Sequence, residues 1–305
     1  MDSVKKDEGW NLQGKYIVIT GATNGIGLAA AKALASRGAS LGIVARNKER
    51  ADEASAQIKK ASGNSSAVDV FIADMASQRS IRRAAAQILD QCPRIDVLVN
   101  NAGALFVNRQ ITEDSVEMTW AVNHLGPFLL TSLLLDRLKE SDSARIITTA
   151  SHGHKMVKKG IMFGDLSSER LYTGFKKLTG GPTLCYAQSK LANILFTAEL
   201  ARRLEGTNVT AHCFDPGLVA TNFNQNNGLL ARATMAVMKL FSRTPEQGAD
   251  TLVWLAESGD IAGLNGGYCA DRQLKVPSEA ASDREAARRL WDISEEQIRP
   301  AGTLD

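Results

Sequence analysis

Apolar and polar positions along the chain alternate between two periods. Tyr16 to Ile19 is a short β-branched run that reads as a buried strand, Thr20 to Gly27 is a glycine turn, and the alanine-rich stretch Leu28 to Arg37 reads as a helix. The pattern then repeats: strand over Ser40 to Ala45, helix over Lys48 to Lys60, strand over Val68 to Ala73, helix over Ser77 to Gln91, strand over Val97 to Asn100. A long helical region follows from about Glu113 to Lys139, then a strand over Arg145 to Ala150, a helix over Pro182 to Glu205 and a strand over Val209 to Phe214. A helix over Thr244 to Glu257, a strand over Gly267 to Ala270 and an amphipathic helix over 281 to 299 complete the series. Each crossover helix must pack on a parallel sheet with right-handed connections, so the pattern predicts an α/β fold: a doubly wound, seven-stranded parallel sheet with helices on both faces.

Two stretches fall outside the alternation, His152 to Gly181 and Thr221 to Ser242. Both leave the C-terminal ends of strands, where open α/β sheets bind ligands, so they are candidate substrate walls. Their apolar residues, among them Met156, Ile161, Leu171, Tyr172, Phe175, Phe223 and Met235, read equally as wall or as core. Met1 to Leu12 is charged and lacks an apolar centre, which suggests a polar extension over 1–13 ahead of one domain over 14–305.

Composition narrows the function. Hydrophobic residues are 44% and charged residues 23% of 305, and the net charge is only +3, which argues against nucleic-acid binding. The longest apolar stretch, Leu125 to Leu135, is too short to span a bilayer. Four well-separated cysteines, Cys92, Cys185, Cys213 and Cys269, form no C-x-x-C pair; they read as reduced thiols of a cytoplasmic protein without a metal site.

The glycine turn carries the first chemistry. Gly21, Gly25 and Gly27 let the backbone approach a ligand, and the helix N-terminus aims unpaired N–H groups at a phosphate, with Thr23, Asn24 and Ile26 lining the same turn. The spacing is G-x3-G-x-G, a variant of the tighter dinucleotide fingerprint; a glycine-rich turn without a ligand is the alternative. The second strand ends at Ala45-Arg46, where an acidic residue would select NAD through the ribose 2′-hydroxyl and an arginine suits a 2′-phosphate, so NADP(H) is predicted; a plain surface arginine is the alternative. Asp74, with Met75 beside it, follows the third strand and is placed either to accept from an adenine amino group or to cap the next helix. Asn100-Asn101-Ala102-Gly103 offers small residues beside which a ribose can pass.

In Tyr186-Ala-Gln-Ser-Lys190 a phenol and an ammonium stand one helical turn apart, so the cation is expected to pull the phenol pKa toward working pH. Ser151 follows an apolar strand, where a serine holds a substrate oxygen or caps a turn.

Taken together, Thr20-Gly21-x-x-x-Gly25-x-Gly27, Asn100-Asn101-Ala102-Gly103, Asn123, Ser151, Tyr186-x-x-x-Lys190 and Asp215-Pro216-Gly217 resemble, in order and spacing, the short-chain dehydrogenase/reductase family with its Rossmann fold. Trp120-Ala-Val-Asn123-His-Leu-Gly-Pro-Phe-Leu-Leu, Ser189-Lys-Leu-Ala-Asn-Ile-Leu-Phe and Ala287-Arg-Arg-Leu-Trp291-Asp-Ile-Ser are similar to the retinol-dehydrogenase-like branch, which includes the WW-domain oxidoreductase. The resemblance implies a tetrad. Tyr186 is the general acid of reduction and base of oxidation, Lys190 lowers its pKa and binds the nicotinamide ribose, Ser151 polarises the carbonyl, and Asn123 holds a relay water. Pro216, Gly217, Val219 and Thr221 are implied to touch the cofactor, and the two long helices, 113 to 139 and 183 to 205, to mediate a homodimer or homotetramer.

The implied activity is NADP(H)-dependent interconversion of a small hydrophobic ketone or aldehyde and its alcohol. Reduction of a polarised C=C bond on the same scaffold, and a non-catalytic cofactor sensor, are the rivals; the intact tetrad argues against the second. The chain departs from the family in its longer spacer between Ser151 and Tyr186 and in Asp215, where the retinol branch usually has His or Asn.

Overall fold

A computed structural model describes residues 10–219 and 242–299. Eight strands form one sheet: β1 (Tyr16–Thr20), β2 (Ser40–Ala45), β3 (Val68–Ile72), β4 (Val97–Asn100), β5 (Ala144–Thr149), β6 (Val209–Phe214), β7 (Gly267–Ala270) and β8 (Gln273–Leu274), in the order β3-β2-β1-β4-β5-β6-β7-β8. The first seven are parallel and stand where the apolar runs placed them. The eighth corrects the count of seven: a tight turn at Asp271-Arg272, both at positive φ, folds a short exposed strand back antiparallel on β7.

Strand burial follows from the parallel geometry. In β1, Ile17 and Ile19 enter one hydrophobic core and Val18 the other, so every position faces a helix layer. One layer is α1 (Gly25–Ser36), α2 (Lys48–Ala61) and α6 (Pro245–Glu257); the other is α3 (Gln78–Gln91), α4 (Met118–Lys139) and α5 (Gly181–Arg203). Starts are set by side-chain caps: Asn47 accepts from Arg50 N–H, Ser77 from Ser80 N–H, and Thr244 with Gln247 forms a reciprocal capping box.

Three further differences from the sequence reading have physical causes. Trp10 and Leu12, read as part of a polar extension, are buried, and the Trp10 indole N–H donates to Ala256 O at 2.8 Å. Helix α4 begins at Met118 rather than near Glu113, and it is long and apolar enough to cross a membrane by length and composition, yet most of it is buried in the second core. Finally, α7 (Arg284–Gln297), capped by Asp283, lies across α4 and α5: Trp291 stacks on Phe196 (5.9 Å, 20°) and meets Phe128 edge-on (4.9 Å). The aromatic face on the helices assigned to self-association is therefore covered by the chain's own C-terminal helix.

The stretch 152–181 is short 3₁₀ turns and a five-residue helix, Gly174–Leu178. Ile161, Leu171 and Tyr172 are buried, so they are core, whereas Phe175 is exposed. The stretch 221–242, except for Ser242, and with it Thr221, lies outside the described residues.

Candidate active site

The glycine turn is shaped by contacts that exclude side chains. A Cβ on Gly27 would lie 2.2 Å from the carbonyl oxygen of Gly21 and 2.5 Å from Asn101 Nδ2, and Gly21 and Gly25 both adopt positive φ. Asn101 Nδ2 donates to the carbonyls of Thr20 (3.1 Å) and Gly21 (3.3 Å), while Thr20 Oγ1 accepts the N–H groups of Asn101 and Ala102, both at 3.0 Å. The turn is thus fastened to the end of β4 at the point where strand order reverses. Asn24, in extended backbone, places no side-chain cap on α1, and the first helical bond runs from Leu28 N–H to Asn24 O. The N–H groups of Gly25, Ile26 and Gly27 then have no acceptor within the helix and are left at its end, the arrangement that binds an anion. The donors suit a dinucleotide pyrophosphate, and the absence of a Cβ at position 27 is what lets the helix end pack this closely on Gly21 and Asn101.

Along the same edge, Arg46 is exposed one residue past β2, and Ala45 pairs in register with Ile72, two residues before Asp74. Asp74 does not cap α3, since Ser77 does; its Oδ1 instead accepts Ala76 N–H at 3.0 Å. Met75 is buried against Gly126, where a Cβ would sit 2.7 Å from the Met75 carbonyl oxygen. Val219 lies over Gly248, where a Cβ would be 2.6 Å from a Val219 methyl and 3.2 Å from Ile26 Cγ1, which brings Val219 to the glycine turn. Pro216 and Gly217 (φ 74°) pass beside the Arg243 guanidinium.

Helix α4 is not regular. Ala121–Leu125 forms a π-turn, and Pro127, which has no N–H to return to the carbonyl of Asn123 four residues back, loosens the ladder there. Asn123 is fully buried: its Oδ1 accepts Ala104 N–H (2.8 Å) and its Nδ2 donates to Ala104 O (2.9 Å) and Ser189 Oγ (2.9 Å). Gly103 lies between this amide and Lys190, since a Cβ there would stand 3.2 Å from Asn123 Oδ1 and 3.4 Å from Lys190 Nζ.

Helix α5 carries the phenol and ammonium one turn apart. Lys190 is 2% exposed; its Nζ donates to Thr149 O at 3.0 Å, an acceptor shared with Asn193 Nδ2 at 3.1 Å, and lies 5.5 Å from the Tyr186 ring centre. Burial lowers the Lys190 pKa to about 8, opposed by the nearby Asp215 carboxylate. Tyr186 and Ser151 share a hydrogen bond, and the Ser151 hydroxyl also accepts Gly153 N–H at 3.2 Å. Here the sequence reading is corrected: the phenol pKa is raised, not pulled down, because burial disfavours phenolate and Asp215 adds to this, while the Ser151 hydrogen bond opposes it.

Asp215, part of the Asp215-Pro216-Gly217 motif and a departure from the retinol branch, is held on three sides. Its Oδ1 accepts Gly217 N–H (2.9 Å), its Oδ2 accepts the Tyr268 hydroxyl (3.2 Å), and exposed His152 stands 3.7 Å away. Thr149, which holds Lys190 through its backbone carbonyl, left no signal in the sequence, since any residue supplies that group. Among the described residues no cluster of His, Cys, Asp and Glu fits a metal ion.

A parallel sheet with a phosphate cradle at its switch point, and a Ser-Tyr-Lys-Asn constellation across the same edge, define a nucleotide-dependent oxidoreductase scaffold. The chain belongs to the short-chain dehydrogenase family, whose pattern matches residues 15–163. It is 42% identical to retinol dehydrogenase 14 of Mus musculus over 94% of this chain and 86% of that protein. Among solved structures, an uncharacterised protein from Mycobacterium paratuberculosis matches at 30% identity and TM-score 0.73, covering 96% of this chain and 97% of that one. A short-chain dehydrogenase from Burkholderia cenocepacia in complex with NADP matches at 26% identity and TM-score 0.64, covering 85% and 96% respectively.

Proposed function

We propose that this protein is an NADP(H)-dependent oxidoreductase that interconverts an apolar ketone or aldehyde and its alcohol. The observation that carries the proposal is the hydrogen-bonded Ser151–Tyr186 pair one turn from buried Lys190. When bound, the reduced nicotinamide supplies hydride to the carbonyl carbon. Tyr186, held as the neutral phenol by burial, donates its proton to the carbonyl oxygen, and Ser151 orients that oxygen by hydrogen bonding. Lys190 stands beside the phenol with its ammonium fixed on Thr149 O, ready to bind ribose hydroxyls, and Asn123 holds Ala104 and Ser189 in the positions that frame it.

Arg46, exposed and held by no hydrogen bond or ion pair among the described residues, supports the 2′-phosphate reading, as does the NADP complex of a structural neighbour. An apolar substrate is supported by exposed Leu218 next to Val219 and by the retinol dehydrogenases among the relatives. Four free buried thiols support a reducing compartment.

The test is Tyr186→Phe assayed by NADPH consumption over a carbonyl panel graded in size and apolarity, with alcohol products identified to separate C=O from C=C reduction. NADPH binding is expected to persist and turnover to fall by about 10²–10⁴-fold. Turnover near that of the parent protein overturns the assignment.

A further inference from the structure

The spacer that precedes Tyr186 holds a feature the active site does not use. Residues 173–179 are seven consecutive exposed positions, and the helical turn Gly174–Leu178 within them buries no side chain. Phe175 is 78% and Leu178 84% exposed, among the barest large apolar side chains described. Three positions apart on one helical turn, they project from a common face. Lys176 and Lys177 lie between them and are also exposed. Gly174 (φ 53°) and Gly180 (φ 102°) set the entry to and exit from the helical turn, and a Cβ at either would meet open space; the backbone of the turn rests on the start of α5, where a Cβ on Gly181 would lie 2.9 Å from the Lys176 carbonyl oxygen, and its side chains are left bare.

We propose that the Thr173–Thr179 turn is a docking element for an anionic lipid surface, with Phe175 and Leu178 entering the headgroup boundary and Lys176 and Lys177 reaching lipid phosphates. Charge favours this occupant. The stretch 152–181 carries six Lys and Arg side chains against two acidic ones, and both acids are engaged: Asp165 accepts the N–H groups of Glu169 (2.9 Å) and Arg170 (3.1 Å), and Glu169 pairs with Arg109 (3.4 Å). Lysine stems lie along apolar surface while their ammoniums seek a polar layer, which is the arrangement of a bilayer interface. A second copy of this chain is a poorer occupant, because a stable protein interface buries about 800 Å² per partner and this turn offers two side chains. The proposal rests on this segment alone and does not depend on which reaction Tyr186 serves.

The test is flotation of the full chain with vesicles of phosphatidylcholine alone and of phosphatidylcholine containing about one-third phosphatidylserine. The parent protein is expected to float with the anionic vesicles, less with the neutral ones, and to be released by ~1 M salt. Phe175→Ser/Leu178→Ser and Lys176→Gln/Lys177→Gln are each expected to lower the bound fraction about tenfold with an unchanged melting temperature, since these side chains touch no core. Phe175→Trp should shift its emission to the blue on adding anionic vesicles. Parent protein that stays in solution, or undiminished binding by Phe175→Ser/Leu178→Ser, overturns the proposal. A drop in molar mass of that variant without vesicle binding by the parent also overturns it and assigns the turn to contact between copies.

Discussion

Gly27→Ala tests the geometry of the phosphate cradle most directly. The added methyl would lie 2.2 Å from the Gly21 carbonyl oxygen, where ordinary contact begins near 3.4 Å, so the turn or the helix must yield by about 1 Å. Neither side yields freely: Gly21 N–H is bonded to Val44 O at 3.1 Å, and its carbonyl accepts from Asn101 at 3.3 Å. Overpacking of this kind costs about 1–3 kcal/mol of stability. If the displacement breaks one N–H bond to a phosphate, the loss is about 1.5–3 kcal/mol, or roughly 10–150-fold in affinity. Fluorescence titration with NADPH, paired with thermal denaturation, reads the two effects separately. Gly164→Ala is the control, because a Cβ there meets nothing within 4 Å and its φ is not left-handed. Unchanged NADPH affinity in Gly27→Ala, with the parent protein binding NADPH, refutes the cradle.

Three other outcomes follow from the same contacts. Arg46→Asp should move cofactor preference from NADPH toward NADH by at least about tenfold in kcat/KM, since it replaces attraction for the 2′-phosphate with repulsion; an unchanged ratio removes Arg46 from the site. Burial lowers the pKa of His212 to about 4 and of His124 to about 3, so below about pH 6.5 the unfolded chain binds more protons than the folded one. Stability should therefore be full above pH 6.5 and fall as pH drops toward 4, by about 3 kcal/mol for His212 alone; urea midpoints that stay level between pH 7 and 5 contradict this. Trp291→Ala should cost about 3–5 kcal/mol, because it removes the ring packed on Phe128 and Phe196 and opens the face of α4 and α5; light scattering at pH 7 would report any self-association that this face then supports.

Much of the architecture was legible in the chain because it depends on neighbours in sequence. The runs Tyr16 to Ile19 and Val97 to Asn100, short, β-branched and bounded by turn residues, read as strands, and Gly21, Gly25 and Gly27 mark a tight turn between strand and helix. One helical turn between Tyr186 and Lys190 likewise needs only the pitch of a helix. Tertiary structure decided what these groups experience. Desolvation, set by the packing of distant segments, raised the Tyr186 pKa against the pull read from its neighbour and brought Lys190 to about 8. The partner of Lys190 is a backbone carbonyl on β5, a group common to every residue and so invisible in a sequence. Trp10 joined the core and α7 covered α4 and α5 because apolar area anywhere in a chain is driven to the nearest surface that will bury it, and which surface that is depends on the completed fold.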